Sequence, residues 1–375
     1  MRVLRQVPGA YLPWSSPSTW PDGVVPTGGD VVIGNTMNVL LDISPPKLGV
    51  LRVEGGLKFD NRTANVNLTL QVDSIVVFGV LEIGTVSQPF LGNATIQLHG
   101  VLSSPTVVVD NAYFLGNKLI AVFGNVSMVG KPRNTTWSRL ASTASAGSSS
   151  ITVSQLVDWS IGDEVVVSST EYDANQMETA IVTGVTYVTA SNTTVVTLNR
   201  ALGYTHLCTV VSVAGWQGNN ASLGQAGGYG SGGGNGVVPL CGVVGVLNRN
   251  VRLMGADVNA STPNYGGHIM VGDLVRGPAY GGGHVVGKLY LSSVQLHNFG
   301  KFETEHPGVT VRYQTLSADN PMNVLDGVTF SYSLNYGFMG VNAKRVNITR
   351  CVFHRTYLSS IDLDETVSGC DLLLL

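Results

Sequence analysis

Charge is scarce in this chain. Its 375 residues include 21 Lys and Arg and 24 Asp and Glu, so charged side chains make up only 12%. An average soluble domain carries about 25%. The balance, 21 − 24 = −3, leaves no basic excess for a nucleic-acid face. Charge-driven disorder is excluded as well, because 44% of residues are hydrophobic. Long apolar runs are missing too, although mean hydropathy is +0.22. Residues 201–248 hold no Asp, Glu, Lys or Arg, but Gln217, Asn219, Asn220, Gln225 and a glycine run interrupt them. No apolar 18-mer results, and no membrane span is expected. Met1 to Pro8 lacks the apolar stretch of a secretory signal.

Glycine, by contrast, is abundant, at 46 residues. With Val, Thr, Ser, Asn and Leu making up much of the rest, the composition describes an all-β protein with many tight turns. Helical bundles and doubly wound α/β folds are disfavoured. Nine Asn-x-Ser/Thr acceptors begin at Asn61, Asn67, Asn93, Asn125, Asn134, Asn192, Asn220, Asn259 and Asn347. Chance at this composition gives about four, so a glycosylated extracellular chain is expected. Four cysteines allow two disulfides in three pairings, with neighbours in sequence suggesting Cys208–Cys241 and Cys351–Cys370. Four buried thiols remain the alternative. The expectation is a piece of a larger secreted or surface protein, with its signal peptide and any membrane anchor in parts outside this chain.

Internal repetition gives the strongest signal. An apolar-x-Gly element recurs at Val53-Glu54-Gly55, Val77-Phe78-Gly79, Leu98-His99-Gly100 and Val122-Phe123-Gly124. Three of these run on into alternating segments: Leu57-Lys58-Phe59, Leu81-Glu82-Ile83 and Val126-Ser127-Met128. A spacing of about 20–25 residues with period-2 alternation suits one coil of a parallel β-helix, where glycine serves a bend. Hairpin meanders have no reason to keep the spacing. Thr329-Phe330 and Val352-Phe353 repeat in the same way, with Val294-Gln295-Leu296 one longer coil upstream and a loop at 300–325. Corners are expected at Asn342-Ala343 and Asn347.

Three segments follow from this reading. Residues 1–131 form the first coils and residues 241–375 form later coils that are expected to run on beyond the chain. Between them, 132–240 reads as an inserted β lobe of hairpin-like strands, among them Ile151-Thr152-Val153 and Glu164-Val165-Val166-Val167. Residues 224–236 are a Gly-rich loop, tied at its base by Cys208–Cys241. A phosphate cradle is not expected there, because no Gly-Lys-Ser/Thr follows.

The residues resemble a known family. Trp14, Trp20, Gly29-Asp30-Val31-Val32-Ile33 and Asp42 are similar to the opening of the G-eight domain, named for its eight glycines. Gly55-Gly56-Leu57-Lys58-Phe59, Gly79 to Thr85, Pro89 and Ile96 to Gly100 resemble its core. Gly116-Asn117-Lys118, Thr136-Trp137, Trp159 with Gly162-Asp163, and Ser168 to Thr170 resemble the segment that follows it in cell migration-inducing hyaluronidases and fibrocystins. The resemblance implies an extracellular G-eight domain joined to a right-handed parallel β-helix of the pectin-lyase type.

That family divides into a hyaluronan-depolymerising branch and a fibrocystin branch of large surface proteins with no assigned catalysis. Where the first carries Tyr-Pro-Ile-His-x-His, this chain has Gly300-Lys301 and then Glu305 to Arg312, with the single histidine His306. Cys351-Val352-Phe353-His354 followed by Ser359-Ser360-Ile361 resembles the fibrocystin pattern instead.

Cleaving a uronic-acid polysaccharide needs a neutralised carboxylate and an acid or base at the sugar oxygen. His306, Arg312 and His354 are the candidates, because they fall on or beside adjacent coils. Asp362, Asp364 and Glu365 are candidates for calcium, although one strand supplies too few oxygens alone. A polar outer strand face accounts equally for the carboxylates, and ordinary turn or surface positions for the histidines. His268 and His284 flank glycines and read as loop residues. No zinc-hydrolase, serine-hydrolase or zinc-ribbon motif occurs. No cofactor is required. The leading expectation is a non-catalytic recognition, adhesion or coat module for a glycan or cell-surface protein ligand. A hyaluronidase-like glycan-depolymerising enzyme is the alternative.

Overall fold

The computed structural model describes residues 9–63, 65–213, 236–258, 264–314, 322–364 and 371–373. Two compact units emerge: Met1–Pro132 together with Arg249–Leu374, and Arg133–Asn248.

The first unit is a parallel β-helix of three sheets. The first sheet stacks nine parallel strands, from Leu12–Pro13 through Gly56–Phe59, Val80–Ile83, Asn125–Val129 and Lys288–Ser292 to Asp371–Leu373. The second runs from Val31–Ile33 through Leu48–Val53, Leu119–Val122, His268–Arg276, Val309–Arg312 and Phe338–Val341 to Ile361–Asp364. The third stacks Asn93–Leu98, Val251–Gly255, Val294–His297, Thr329–Ser331 and Val352–His354. One long strand, Asn67–Val77, serves both: its first half pairs in the third sheet and its second half in the second.

Period-2 alternation turns every other side chain inward, and coil register then lines equivalent residues up. Leu51, Ile75, Ile120, Ile269, Val309 and Phe338 form one such ladder down the second sheet. Phe330 stacks on Phe353 in the third sheet, ring centroids 4.5 Å apart. These interior positions are almost all fully buried. Outward residues carry the polar partners: Lys58 and Glu82 sit on neighbouring rungs and pair at 2.8 Å. At the first coil, side chains satisfy strand N–H groups that have no neighbouring strand. Asp30 Oδ1 accepts from Val50 N at 2.8 Å, and Ser44 Oγ from Thr69 N at 2.8 Å. Such caps blunt an edge that would otherwise invite pairing.

The second unit is antiparallel. Its main sheet has six strands in the order Trp137–Arg139, Val243–Val246, Glu164–Val167, Glu178–Val188, Thr193–Leu198, Ser150–Val153. A Leu140–Val153 bridge joins the last strand back to the first, so the sheet closes on itself around Trp159, Val165, Val182 and Val196. The lobe therefore extends to Asn248 rather than 240, because Val243–Val246 is paired inside its sheet. Nor do the coils break into two domains at the insertion. Asn125–Val129 pairs directly with Lys288–Ser292, and Leu119–Val122 with His268–Arg276.

Cys208 and Cys241 are register partners on a hairpin of Cys208–Val213 and Gly236–Cys241, and they form a disulfide. Residues 224–235 of the Gly-rich loop lie outside the described residues. Cys351 differs from the expectation. It is a free thiol facing the Leu325 and Thr349 carbonyls, and burial pushes it up to about 12. Its suggested partner Cys370 lies outside the described residues.

The glycine repeat is also reordered. Gly55, Gly79 and Gly124 share the corner between the second and first sheets, whereas Gly100 follows a third-sheet strand and takes φ +121. Its place in the spacing is coincidental. Asn342 sits at a corner with φ 48, but Asn347 lies within the first-sheet strand Val346–Thr349. Among the acceptor asparagines, Asn67, Asn93, Asn134 and Asn192 are exposed, while Asn61, Asn125 and Asn347 are half-buried. Asn220 and Asn259 lie outside the described residues.

Candidate functional site

The loops that connect the third sheet to the second fall above one another in successive coils, and they gather the polar chemistry of this unit. Three of them contribute: residues 99–118, residues 256–258 with 264–267, and residues 298–308. Gly116-Asn117-Lys118 leads into Leu119–Val122, Tyr265 into His268–Arg276, and Lys301 to His306 into Val309–Arg312. Rigid strands thus fix the bases of loops that carry function-type residues.

Two lysines are fully buried here, Lys118 and Lys301. Lys118 Nζ donates to the carbonyls of Ala256 and Tyr265, the second at 2.8 Å. Lys301 Nζ donates to the Asn117 carbonyl at 2.5 Å and lies 4.9 Å from the Tyr265 ring centre. Tyr265 Oη in turn donates to Asn117 Oδ1 at 2.5 Å. The fourth coil adds Asn335, whose Nδ2 donates to the Lys301 and Thr304 carbonyls at 2.7 and 2.8 Å. The ammonium groups therefore stitch loops together that are far apart in sequence.

Burial costs a cation its hydration. It lowers Lys118 to about 8, against the pull of Asp257. It lowers Lys301 to about 7, with repulsion from Lys118 adding to the effect. His306 falls to about 4 through burial, then Lys301 and Arg312. His268, whose ring centre is 5.1 Å from that of His306, is driven well below its usual value by burial and by the same neighbours. On the far side, His99 Nδ1 meets Asp257 Oδ2 at 3.0 Å. Burial alone would raise the Asp257 carboxyl, but His99, the Gly100 N–H and Lys118 hold it below the usual range.

Of the residues expected from sequence, His306 and Arg312 belong to this cluster. His354 does not: it is buried in the third sheet, its ring edge-on to Tyr332 at 5.4 Å. Burial, Arg355 and His297 hold it at about 4. His268 and His284 sit in strands rather than loops, and His268 is buried. Asp362 lies on Ile361–Asp364 opposite Met339. The side chain of Asp364, and Glu365 altogether, lie outside what is described. Among the described residues, no three His, Cys, Asp or Glu side chains are placed to hold a metal ion. Sequence reasoning missed Lys118, Lys301, Tyr265 and the His99–Asp257 pair. The available signal was the Gly-x-Lys and Gly-Lys arrangement at 116–118 and 300–301, two short segments whose meaning depends on coil stacking.

A three-sheet parallel β-helix with stacked polar loops on one corner and an inserted antiparallel lobe defines the class. Residues 19–141 match the G8 domain family. Over those residues the chain is similar to the G8 domain, and it is similar to fibrocystin-L as well. It is 38% identical to fibrocystin-L of Mus musculus over 198 residues, covering 52% of this chain and 4% of that protein. The human fibrocystin-L match is 34% identical over 249 residues, 65% of this chain and 5% of its relative. A G8 domain-containing protein of Dictyostelium discoideum is 23% identical over 95% of this chain and 22% of its own length. The chain thus spans a small fraction of its fibrocystin-L relatives. Among solved structures, the tailspike protein gp49 from Pseudomonas phage LKA1 aligns over 80% of this chain and 37% of its own. The identity there is 13% and the TM-score 0.21. The fold assignment rests on strand register, not on that likeness.

Proposed function

We propose that this chain is a non-catalytic recognition segment of a larger fibrocystin-like protein, displayed outside the cell or on its surface. One observation carries the reading: the most perturbed groups of the corner cluster are spent on holding backbone. Lys118 and Lys301 donate to main-chain carbonyls, Asn117 Oδ1 accepts from Tyr265 of the next loop, and Asn335 donates to the loop of Lys301. A cluster so committed fixes the shape of a surface. The Cys208–Cys241 disulfide and the exposed acceptors Asn67, Asn93, Asn134 and Asn192 support passage through an oxidising secretory pathway. The partner on this reading is a glycan or a cell-surface protein.

The His99–Asp257 pair favours a second reading, because a carboxylate-oriented imidazole beside lowered lysines is the usual material of an acid–base site. On that reading the chain depolymerises a uronic-acid polysaccharide. Size analysis of hyaluronan and other uronic-acid glycans, after incubation with the secreted chain at pH 5–7.5 with and without calcium, separates the two. Unchanged polymer length together with saturable binding to cells or immobilised glycans is expected. Shortening that His306→Ala or His99→Ala abolishes would replace the recognition reading with the enzymatic one.

A further inference from the structure

Two acceptor asparagines stand side by side on the third sheet. Asn67 and Asn93 open the strands Asn67–Val77 and Asn93–Leu98 and are register partners. Thr69 and Thr95 are register partners too, so two complete Asn-x-Thr sites occupy neighbouring rungs. Strand alternation turns Leu68, Leu70, Ala94 and Ile96 into the core and leaves both asparagines exposed on the outer face. Neither amide is drawn into a hydrogen bond among the described residues. Other acceptors differ. Asn61 Nδ2 donates to the Pro89 carbonyl at 3.0 Å, and the amide oxygens of Asn125 and Asn347 are buried.

The strand that carries Asn67 is also an edge. Asn67 to Gln71 pair with Asn93–Leu98 on one side, while pairing with Leu48–Val53 on the other begins only at Val72. The carbonyls of Val66 and Val72 accept from Asn93 N and His99 N, so the even-numbered residues face the neighbouring strand. Asn67, Thr69 and Gln71 therefore turn their backbone groups to the open side, where Ser44 Oγ takes the Thr69 N–H. An open strand edge is a template for pairing with another chain.

We propose that Asn67 and Asn93 both carry N-linked oligosaccharides, and that the glycan on Asn67 shields this edge from pairing with a second copy of the chain. The modification rests on the extracellular reading above. Its donor is a lipid-linked oligosaccharyl diphosphate. The asparagine Nδ2 bonds to the anomeric carbon, the bond from that carbon to the diphosphate oxygen breaks, and an amide proton and the lipid diphosphate leave. Strands lie about 4.8 Å apart, far less than the width of an oligosaccharide, so two glycans on adjacent rungs crowd each other. Asn93 has a further rung beyond it, Val251–Gly255, whereas Asn67 has the open side. The glycan on Asn93 thus presses its neighbour over the edge, where its bulk blocks an incoming strand.

The first test expresses the chain behind a secretion leader and maps its peptides by mass, after enzymatic release that leaves aspartate at each modified asparagine. Asn67 and Asn93 are expected to be modified. Either one bare in a secreted chain that is modified elsewhere would overturn the proposal and leave the extracellular reading standing. Bare asparagines throughout, in a chain that is not secreted, would overturn both. Light scattering then reads assembly. The native glycoprotein should stay monomeric, whereas Asn67→Gln should rise about twofold in mass with concentration, as a dimer does. Trimming the glycans of the folded protein enzymatically should do the same, and it serves if the variant folds poorly. Asn93→Gln should give a smaller rise, and Asn192→Gln in the second unit none. Adding Gln71→Lys to Asn67→Gln should restore the monomer, because lysine on an edge strand opposes pairing. A glycan-free chain that stays monomeric, or one whose association ignores Gln71→Lys, would overturn the shielding.

Discussion

The bend from the second sheet to the first is made differently in the early coils and the late ones. In the early coils Gly55, Gly79, Gly124 and Gly287 occupy it, none with a left-handed backbone. Their reason is crowding. A Cβ on Gly79 would lie 1.9 Å from the Gly55 carbonyl, and one on Gly124 2.3 Å from that of Phe78. In the late coils the same bend begins with Tyr313 and Asn342, which have side chains and left-handed φ values of 51 and 48. The corner between the first and third sheets repeats the contrast. Gly130 is crowded by the Ser293 carbonyl at 2.4 Å, while Ser293 and Arg350 turn at φ 53. Two devices thus stack coils in register: removing the side chain so that backbones approach, or rotating one residue so that its side chain points outward. The first tolerates only glycine. The second tolerates many residues at a cost of about 1–2 kcal/mol each.

Substituting the crowded glycines tests that contrast most severely. Gly79→Val should cost more than about 4 kcal/mol and abolish secretion of folded chain, since backbone must move to admit it. Secretion yield and chemical unfolding measure this, and a normally stable Gly79→Val chain would break the crowding argument. Next in size is the lobe, which relies on covalent closure rather than on coil stacking. Replacing Cys208 and Cys241 with serine opens a link of 33 residues' separation. By chain entropy that costs about 3–4 kcal/mol. Hydrogen exchange should show the loss in strands 137–246, with the coils of the first unit unaffected.

Acid should act on the late coils first. His306 and His354 are held at about 4 and burial drives His268 well below its usual value, so between pH 6.5 and 4 the unfolded chain binds more protons than the folded one. Stability from these groups is whole above pH 6.5 and lost as pH falls towards 4. Urea midpoints across that range should fall, and His306→Gln with His354→Gln should flatten the slope. The lysines carry the same sign at higher pH: Lys301 and Lys118, at about 7 and 8, make stability rise as pH climbs towards 10.5. The smallest effect is expected where a left-handed residue becomes glycine. Tyr313→Gly and Asn342→Gly should change unfolding free energy by less than about 1 kcal/mol, relief of φ offsetting added chain entropy. A large loss at either would show that the late corners depend on side chains after all.

How much of this was legible follows from the two devices. Crowded glycines leave a mark in sequence because nothing else fits, so Gly55, Gly79 and Gly124 exposed the β-helix directly. Gly100 joined their spacing by accident, since a residue count does not say which corner a glycine turns. Phe330 and Phe353 were readable as a repeat, being register partners one coil apart. The corner cluster was not. Lys118 and Lys301 lie 183 positions apart in sequence, and the chain detours through the whole lobe between them. His306 was singled out because it falls beside adjacent coils, whereas its low proton affinity comes first from burial and then from Lys301 and Arg312 beside it. His354 was grouped with it on coil proximity, but it faces Tyr332 on another sheet.

The sequence by itself determined the class of fold, because alternation and steric exclusion act within a few residues and leave local signatures. It indicated an inserted lobe from short-range alternation but left the cysteine pairing open: of the two suggested links Cys208–Cys241 forms, whereas Cys351 is a free thiol. Only the tertiary structure decided which polar groups meet. Stacking brings loops of different coils within hydrogen-bonding distance, and burial there, acting on neighbours that no local pattern specifies, sets the charge of Lys301, His268 and His306.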